Sequence, residues 1–476
     1  MADTKNDIEV DKKIIPLDHD DVEADIKNGT VTDLDEAELF LQQHGIAHSR
    51  LSELMADEEA LKKLRKKVDW SLMPLLCGTY LLQYVDKQAL GYSAVFDLFS
   101  TTGMTSDEYS WMASIFYFAY LVAEWPASYL AQRLPTGTIV STFVITWGSI
   151  LCLTAACQNF AGLAVCRFLL GAFEAVITPA FMLIVSQWFR RETQPARAGL
   201  FYCFNGFGAM FGGILFYGVG QAKGWDVWRT IYVLCGGLTI CWGVILFFFL
   251  PNNILTAKRF SVEERAMLIA QSARNKTGVF NRKIKWNQIR EVFVDSQIWL
   301  LFFFTLLNEV INGGIANFSK LIVKGFTHDA LLTTAYGIPY GACNAIFMFT
   351  GPYVASKFKN CASFVGALIV ALQMPASNVG GYTKRTTATA FVFLAYCIGN
   401  IIGPHGFIGS EAPIYQTGCK LIIGCVAGQV VIAIALRFVL IRRNRLRDAQ
   451  GPVVEDENAV LQDLTDFENP NFRYSY

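Results

Sequence analysis

Apolar and polar positions along this chain fall into long blocks. Met1 to Asp69 and the stretch after Leu440 are polar and charged, with no long apolar run. Between them lie apolar blocks near 70–92, 109–131, 138–157, 161–185, 197–220 and 229–250, then a charged stretch, then blocks near 297–318, 331–355, 386–404 and 418–441. Each supplies roughly the 20 apolar residues a helix needs to cross hydrocarbon. Backbone N–H and C=O groups find no water there, so only helices or closed barrels cross it. The blocks lack the two-residue alternation of a barrel strand, so the pattern predicts an all-α, multi-pass membrane protein. One further apolar run, Cys361 to Ala376, resists assignment. It is about long enough for one crossing, yet basic residues flank both its ends: Lys357 and Lys359, then Lys384 and Arg385.

Charge sets the orientation of the predicted spans. Arg65, Lys66 and Lys67 precede the first, Arg133 follows the second, and Arg190, Arg191 and Arg197 separate the fourth from the fifth. Lys258, Arg259, Arg265, Arg274, Lys276, Arg282, Lys283, Lys285 and Arg290 crowd the stretch after the sixth. The alternate connections carry few bases: none between Ser93 and Tyr109, Lys223 and Arg229 after span 5, Lys320 and Lys324 after span 7. Cytoplasmic loops are enriched in Lys and Arg, so both termini and the central linker are expected in the cytoplasm. Within the linker, Trp286, Ile289, Val292 and Phe293 recur at helical spacing. They predict an amphipathic helix lying on the membrane surface or packed against the protein's own spans.

Composition agrees and excludes several classes. The 476 residues are 53% hydrophobic and 17% charged, with mean hydropathy +0.34, against roughly 25% charge in soluble domains. Lys plus Arg and Asp plus Glu each number 40, so no basic excess argues for nucleic acid. No apolar segment precedes Trp70, and the first span is expected to direct insertion. The 12 cysteines include no C-x-x-C pair and read as small hydrophobes. No phosphate-binding G-x-x-x-x-G-K-[ST] motif occurs, so ATP is not expected to drive the protein. Nothing predicts a catalytic constellation, metal or cofactor.

A repeat is faintly legible. Span 2 ends WPASYLAQRL and span 8 ends TGPYVASKFK, matching Pro, Tyr, an aliphatic residue, Ala and a base. Duplicated halves of this kind are common in transporters. From Arg133 to Arg197 the first half covers 64 positions, whereas Lys357 to Arg385 covers 28. The shortfall of 36 is about one span with its loop. A single crossing at 361–376 would also push the basic tail Arg442, Arg443, Arg445 and Arg447 outside. The segment is therefore expected to turn back, as a re-entrant hairpin or a surface helix, with two spans of a twelve-span plan collapsed.

YVDKQALGYSA in span 1, SIFYFAYLVAEWPASYLAQRLP in span 2 and CRFLLGAFEAVITPAFMLIVSQWFRRETQPAR in span 4 resemble the major facilitator superfamily, in particular its fungal anion:cation symporter branch, the allantoate permease family. GGYTKRTTATAFVFLAYCIGNIIGPHGF followed by EAPIY is similar to that branch's span 11 and the loop after it. The resemblance covers roughly 65 to 445. It implies two six-helix bundles, here with the second shortened by about two spans. It also implies alternating access and proton-coupled uptake of small organic anions such as allantoate, nicotinate or pantothenate.

Polar groups inside spans are functional candidates, because burying them there costs free energy. Arg167 and Glu174 stand seven residues apart, on one face of span 4, about 10 Å apart along the axis. One can hold an anion while the other takes a proton, or the two can lock span 4 to its neighbours. The resemblance links this R-x-x-x-G-x-x-E element, with Gly171, to substrate and proton. Adjacent Asp86 and Lys87 point about 100° apart; the resemblance puts Lys87 at the anion, and an outer-end latch is the alternative. Glu124 lies near Arg133, and a salt-bridge latch of the closed state is expected there, with substrate contact the alternative. On span 7, Asn308, Glu309 and Asn312 cluster beside Gly313 and Gly314, where glycine can open a discontinuous helix at the site, the alternative for the cluster being interhelical hydrogen bonding. Asn205 and Asn400 occupy corresponding spans as cavity donors or interhelical glue. Gly208 and Gly212 read as a packing face, and His405 as structural.

The reading is thus a cytoplasmic tail 1–69, an N-terminal bundle 70–250, a linker 251–296, a C-terminal bundle 297–441 with a truncated region 361–382, and a tail 442–476. It describes a monomeric, non-enzymatic carrier in the plasma membrane whose partners are an organic anion, a proton and the lipid bilayer. Substrate contacts are expected from Lys87, Arg167, Asn205, Asn308, Asn312 and Asn400, and proton coupling from Glu174, Glu309 and Asp86. The alternative is a transport-inactive relative, a nutrient sensor or a mis-spliced product lacking two spans.

Overall fold

The computed structural model describes residues 40, 44, 46, 48–190, 193–222, 224–274, 285–357, 378–449, 464–469 and 471–474. Among them every regular element is helical: α1 His48–Ala56, α2 Glu58–Val95, α3 Leu98–Thr102, α4 Ser106–Arg133, α5 Thr136–Thr154, α6 Phe160–Glu174, α7 Ile177–Trp188, α8 Gln194–Gly220, α9 Val227–Phe249, α10 Val262–Arg274, α11 Trp286–Val294, α12 Ser296–Thr327, α13 Ala330–Lys357, α14 Tyr382–Ile402 and α15 Gln416–Ala449, with short 3₁₀ turns at Gly403–Gly406 and Gly409–Glu411. Nine of the ten predicted spans fall on single long helices, and the fourth on the consecutive pair α6 and α7. Seven of these stretches are long and apolar enough to cross a membrane on composition alone: α5, the combined Phe160–Trp188, Ala196–Gly220, α9, α12, Tyr382–Gly406 and α15.

Local chemistry explains where helices start and bend. Asp57 caps α2, its carboxylate accepting from the Glu59 and Ala60 N–H groups at 3.0 Å. Thr105 and Glu108 form a reciprocal capping box at α4, which satisfies N–H groups the helix cannot. Span 4 was expected as one helix but bends at Ala175–Val176 between α6 and α7. Pro179 has no N–H to give, and its ring crowds the Ala175 carbonyl, so the helix yields there.

The stretch before Trp70 is more than a polar tail. Helix α2 begins twelve residues earlier, at Glu58, and buries Leu61, Leu64 and Val68, which recur at helical spacing. Lys67 Nζ reaches Glu264 of α10 at 2.7 Å, docking the linker on the first half. The linker's amphipathic helix is α11. Its Val292 is fully buried against Ile298, Val379 and Ala388, while Trp286, Phe293 and Val294 stand exposed. It packs on the second half with one face and presents the other outward.

The two halves show a correspondence the sequence concealed. At the base of the first, Asp69 before span 1 takes a bidentate bond from Arg197 of α8, at 3.1 and 3.0 Å. At the base of the second, Asp295 before α12 faces Lys384 of α14 at 3.3 Å. Lys384 is fully buried, because the tail folds over it. Asp466 Oδ1 sits 2.8 Å and Glu291 Oε2 3.3 Å from its ammonium, and the Phe467 ring lies 3.6 Å away. Tyr474 donates to Asp466 at 2.7 Å, and the Arg447 guanidinium holds the Asp466 and Phe472 carbonyls.

The end carrying this linker and tail is called the linker end. Helix α13 runs toward it, with Leu331 beside Gly220 at the remote end of α8 and Met348 beside Cys203 nearer the start of α8. Helix α14 starts from it. The expected turn-back at 361–376, and with it most of the truncated region, lies outside the described residues.

Candidate functional site

Lys87, Glu174 and Glu309 gather where the two halves face each other. On α2, Lys87 Nζ meets Glu174 Oε1 of α6 at 3.0 Å, and Gln83 donates to the same oxygen at 2.8 Å. The ammonium also stands over the Phe116 and Tyr120 rings of α4, 5.7 and 6.0 Å from their centroids. Gly171, one turn before Glu174, makes this possible. A Cβ there would lie 2.2 Å from the Phe116 carbonyl oxygen, so only glycine lets α6 press onto α4.

Across the interface, Glu309 of α12 is fully buried and ringed by amides. Asn308 Nδ2 donates to one carboxylate oxygen at 3.1 Å, and Asn312 and Asn400 donate to the other at 3.1 and 2.7 Å. Gln429 of α15 reaches Asn308 at 3.1 Å. Tyr117 on α4 lies within electrostatic reach of both Glu174 and Glu309 and meets Tyr396 of α14 with ring centroids 6.0 Å apart. The arrangement places an ion pair in one half opposite an amide-held carboxylate in the other, with aromatic rings between them.

The expected break at Gly313 and Gly314 does not occur: α12 is continuous from Ser296 to Thr327. Instead, a Cβ at Gly313 would stand 2.9 Å from the Asn400 backbone. The glycine lets α14 come close enough for Asn400 to reach Glu309. Gly208 does similar work in the first half, against the Leu81 carbonyl of α2.

Other expected partnerships are redistributed. Arg167 and Glu174 lie on α6 and are both buried, but they serve different neighbours: Arg167 donates to the Tyr232 hydroxyl of α9 at 2.8 Å. Its buried Nε has no partner, and no carboxylate pairs with it among the described residues. Asp86 and Lys87 diverge as adjacency requires. Asp86 turns into the first half, accepting from Trp147 at 2.8 Å and Thr239 at 2.9 Å. The Glu124–Arg133 bridge is not formed, because Arg133 stands exposed with its guanidinium 5.5 Å from the Tyr129 ring. Asn205 is part-buried and away from the Glu309 cluster, bonding to no described side chain or backbone group. Sequence reading missed Gln83, Tyr117, Tyr396 and Gln429, whose only signal was a polar edge on an apolar span.

The remote end is closed by bonds between the halves. Tyr109 donates to the Asn317 carbonyl at 2.9 Å, Ser110 to Pro404 at 3.2 Å and Ser114 to Ile401 at 2.9 Å. His405 Nε2 lies 3.1 Å from the Ser114 hydroxyl, an inter-half contact in keeping with a structural histidine.

Comparison with known proteins follows this geometry. Residues 76–408 match the family model of the Major Facilitator Superfamily. An uncharacterized transporter of Schizosaccharomyces pombe is 32% identical over 94% of this chain and 97% of its own. Allantoate permease of Saccharomyces cerevisiae is 31% identical over 89% of this chain and 88% of its own. A bacterial homologue of the lysosomal transporter Spinster, solved inward-facing and unoccupied, shares the fold with TM-score 0.57 at 15% identity, over 79% of this chain and 96% of that one. The S. pombe alignment runs to 493 positions, and 94% of 476 residues is about 447, so some 46 positions of the relative face gaps in this chain.

Proposed function

This chain belongs to the Major Facilitator Superfamily, a family of multi-pass membrane transporters of small molecules, and on that premise we propose that it imports a small organic anion together with protons. The observation that carries the proposal is the interior site itself: Lys87 paired with Glu174 on one half, the amide-held Glu309 on the other, and Arg167 buried without a carboxylate. An anionic carboxylate can exchange places with Glu174 at Lys87, or meet the free face of Arg167. Asn308, Asn312 and Asn400 supply amide donors, and Asn205 of α8 is proposed as a further one. Asp86, Glu174 and Glu309 are the acids whose proton occupancy is proposed to change as the halves rock. Neutralising a charge lowers the cost of moving it through a low-dielectric interior. Glu124 and Arg133 are proposed to gate the linker end, each through a partner on another helix, because nine residues of continuous α4 hold them on opposite faces. The protein is proposed to act as a monomer, in the plasma membrane with both ends cytoplasmic, and the layout from 1–69 through 442–476 is retained.

The test is uptake of labelled allantoate and nicotinate in cells lacking their own carriers, with and without an imposed pH gradient. Accumulation that rises with external acidity and falls with a protonophore is expected. Absence of uptake of either compound favours the second reading, a transport-inactive relative. The alignment gaps facing some 46 positions and the short stretch between Lys357 and Arg385 support that reading. A transcript read across Asn360 to Gln373 decides whether this shortening is genuine.

A further inference from the structure

Four interior carboxylates are described in the spans, and three are held. Glu174 is ion-paired with Lys87 and accepts from Gln83. Glu309 accepts from three amides. Asp86 accepts from Trp147 and Thr239. Such donors favour the ionised form of a buried acid. Asp86 Oδ1 is also enclosed without a partner, but Glu124 alone of the four has no donor and no counter-ion at either oxygen among the described residues. Its Oε2 is enclosed and bonds to nothing, although the residue as a whole is only part-buried. No base faces it among the described residues. The titratable groups around it are Tyr120 on its own helix, Tyr202 on α8 and Cys397 on α14, and all three are neutral side chains. Arg133, nine residues on, is turned to Tyr129 and exposed. A carboxylate without a counter-ion or donor is costly to enclose, and the cheaper species is the neutral acid.

We infer that Glu124 is a proton-carrying site of the transport path, occupied while the remote end is closed. The inference rests on the proton-coupled reading above and adds a residue to it. Glu124 sits between the two halves, bordered by α4, α8 and α14, about 27 Å along α4 from Ser106 at the closed end and about 13 Å from its linker-end terminus. A proton held there lies on the linker side of the Lys87–Glu174 pair, the side to which the closed remote end leaves it access. The three held acids keep their donors in this conformation and exchange them in the other.

Two measurements test this. Dicyclohexylcarbodiimide adds the carboxylic acid O–H across its C=N bond, so it marks protonated acids in apolar surroundings, and the label is located by peptide mass spectrometry on the purified full-length chain. Label on Glu124, weakening as the pH rises, is expected. Label confined to Glu174, Glu309 or Asp86 with Glu124 unmarked overturns the inference. Second, in proteoliposomes with labelled allantoate, Glu124→Gln should lose accumulation driven by a pH gradient while keeping counterflow exchange. Gradient-driven accumulation equal to wild type overturns the role of Glu124 alone. A wild-type protein that exchanges allantoate but ignores the gradient removes the coupling on which the role depends.

Discussion

Replacing Lys384 by methionine should loosen the base of the second half. The ammonium is fully buried, with Asp466 at 2.8 Å and Glu291 and Asp295 at 3.3 Å each. None of these contacts is aligned as a hydrogen bond at the ammonium, so the attraction is Coulombic and depends on the three acids surrounding it. Methionine keeps most of the stem's volume but removes the positive charge. Asp295 then retains Arg443 at 2.7 Å, while Asp466 keeps only neutral donors, Tyr474 and the Gly380 N–H. Removing one partner of a buried pair costs about 3–5 kcal/mol. The reverse change, Asp466→Asn, leaves Lys384 two carboxylates and should cost less, about 1–3 kcal/mol. Thermal unfolding of the detergent-purified chain reads the total, and limited proteolysis of the tail reads the site, because Asp466, Phe467 and Tyr474 of the tail dock on this cluster. Lys384→Met should lower the midpoint and release the tail to protease, and Asp466→Asn should do so more weakly. A Lys384→Met protein with wild-type midpoint and a protected tail would refute the reasoning.

Other perturbations have defined outcomes. Gly313→Leu should push α14 off α12, because even a Cβ would stand 2.9 Å from the Asn400 backbone. Overpacking of this kind costs about 1–3 kcal/mol, and the measured result should be a lowered unfolding midpoint together with lost uptake. Lys87→Met should reduce uptake more than it reduces expression, because Glu174 is left buried and unpaired; Lys87→Met with Glu174→Gln should restore the unfolding midpoint without restoring uptake. In the linker, burial pulls the Glu264 carboxyl upward, but Lys67 and the Ser261 N–H outweigh it and hold it below the usual carboxylate value. A depressed carboxyl stabilises above its unfolded value and loses that contribution as pH falls through its folded one. The stability gap between wild type and Glu264→Gln should therefore be full at neutral pH and shrink in acid, as followed by unfolding midpoints across a pH series.

The sequence by itself determined the solvent of each segment. Twenty-residue apolar runs have one helical solution in hydrocarbon, and basic loops give them direction, so ten helices and their polar flanks were legible. The resemblance of spans 1, 2, 4 and 11 located the family. Periodicity along one helix says which residues share a face, but not which neighbour that face meets. Thus Arg167 and Glu174 read as a pair, and only packing sent one to Tyr232 and the other to Lys87. Gly313 and Gly314 read as a break, because a missing side chain weakens a helix in isolation; in the fold the same absence admits Asn400, and α12 stays whole. Asp295, Lys384 and Asp466 lie in three separate polar stretches, and nothing in the sequence joined them until the tail folded back over the base of the second half. Long-range proximity of charges comes from tertiary contact between distant segments, and that is what only the three-dimensional structure decided.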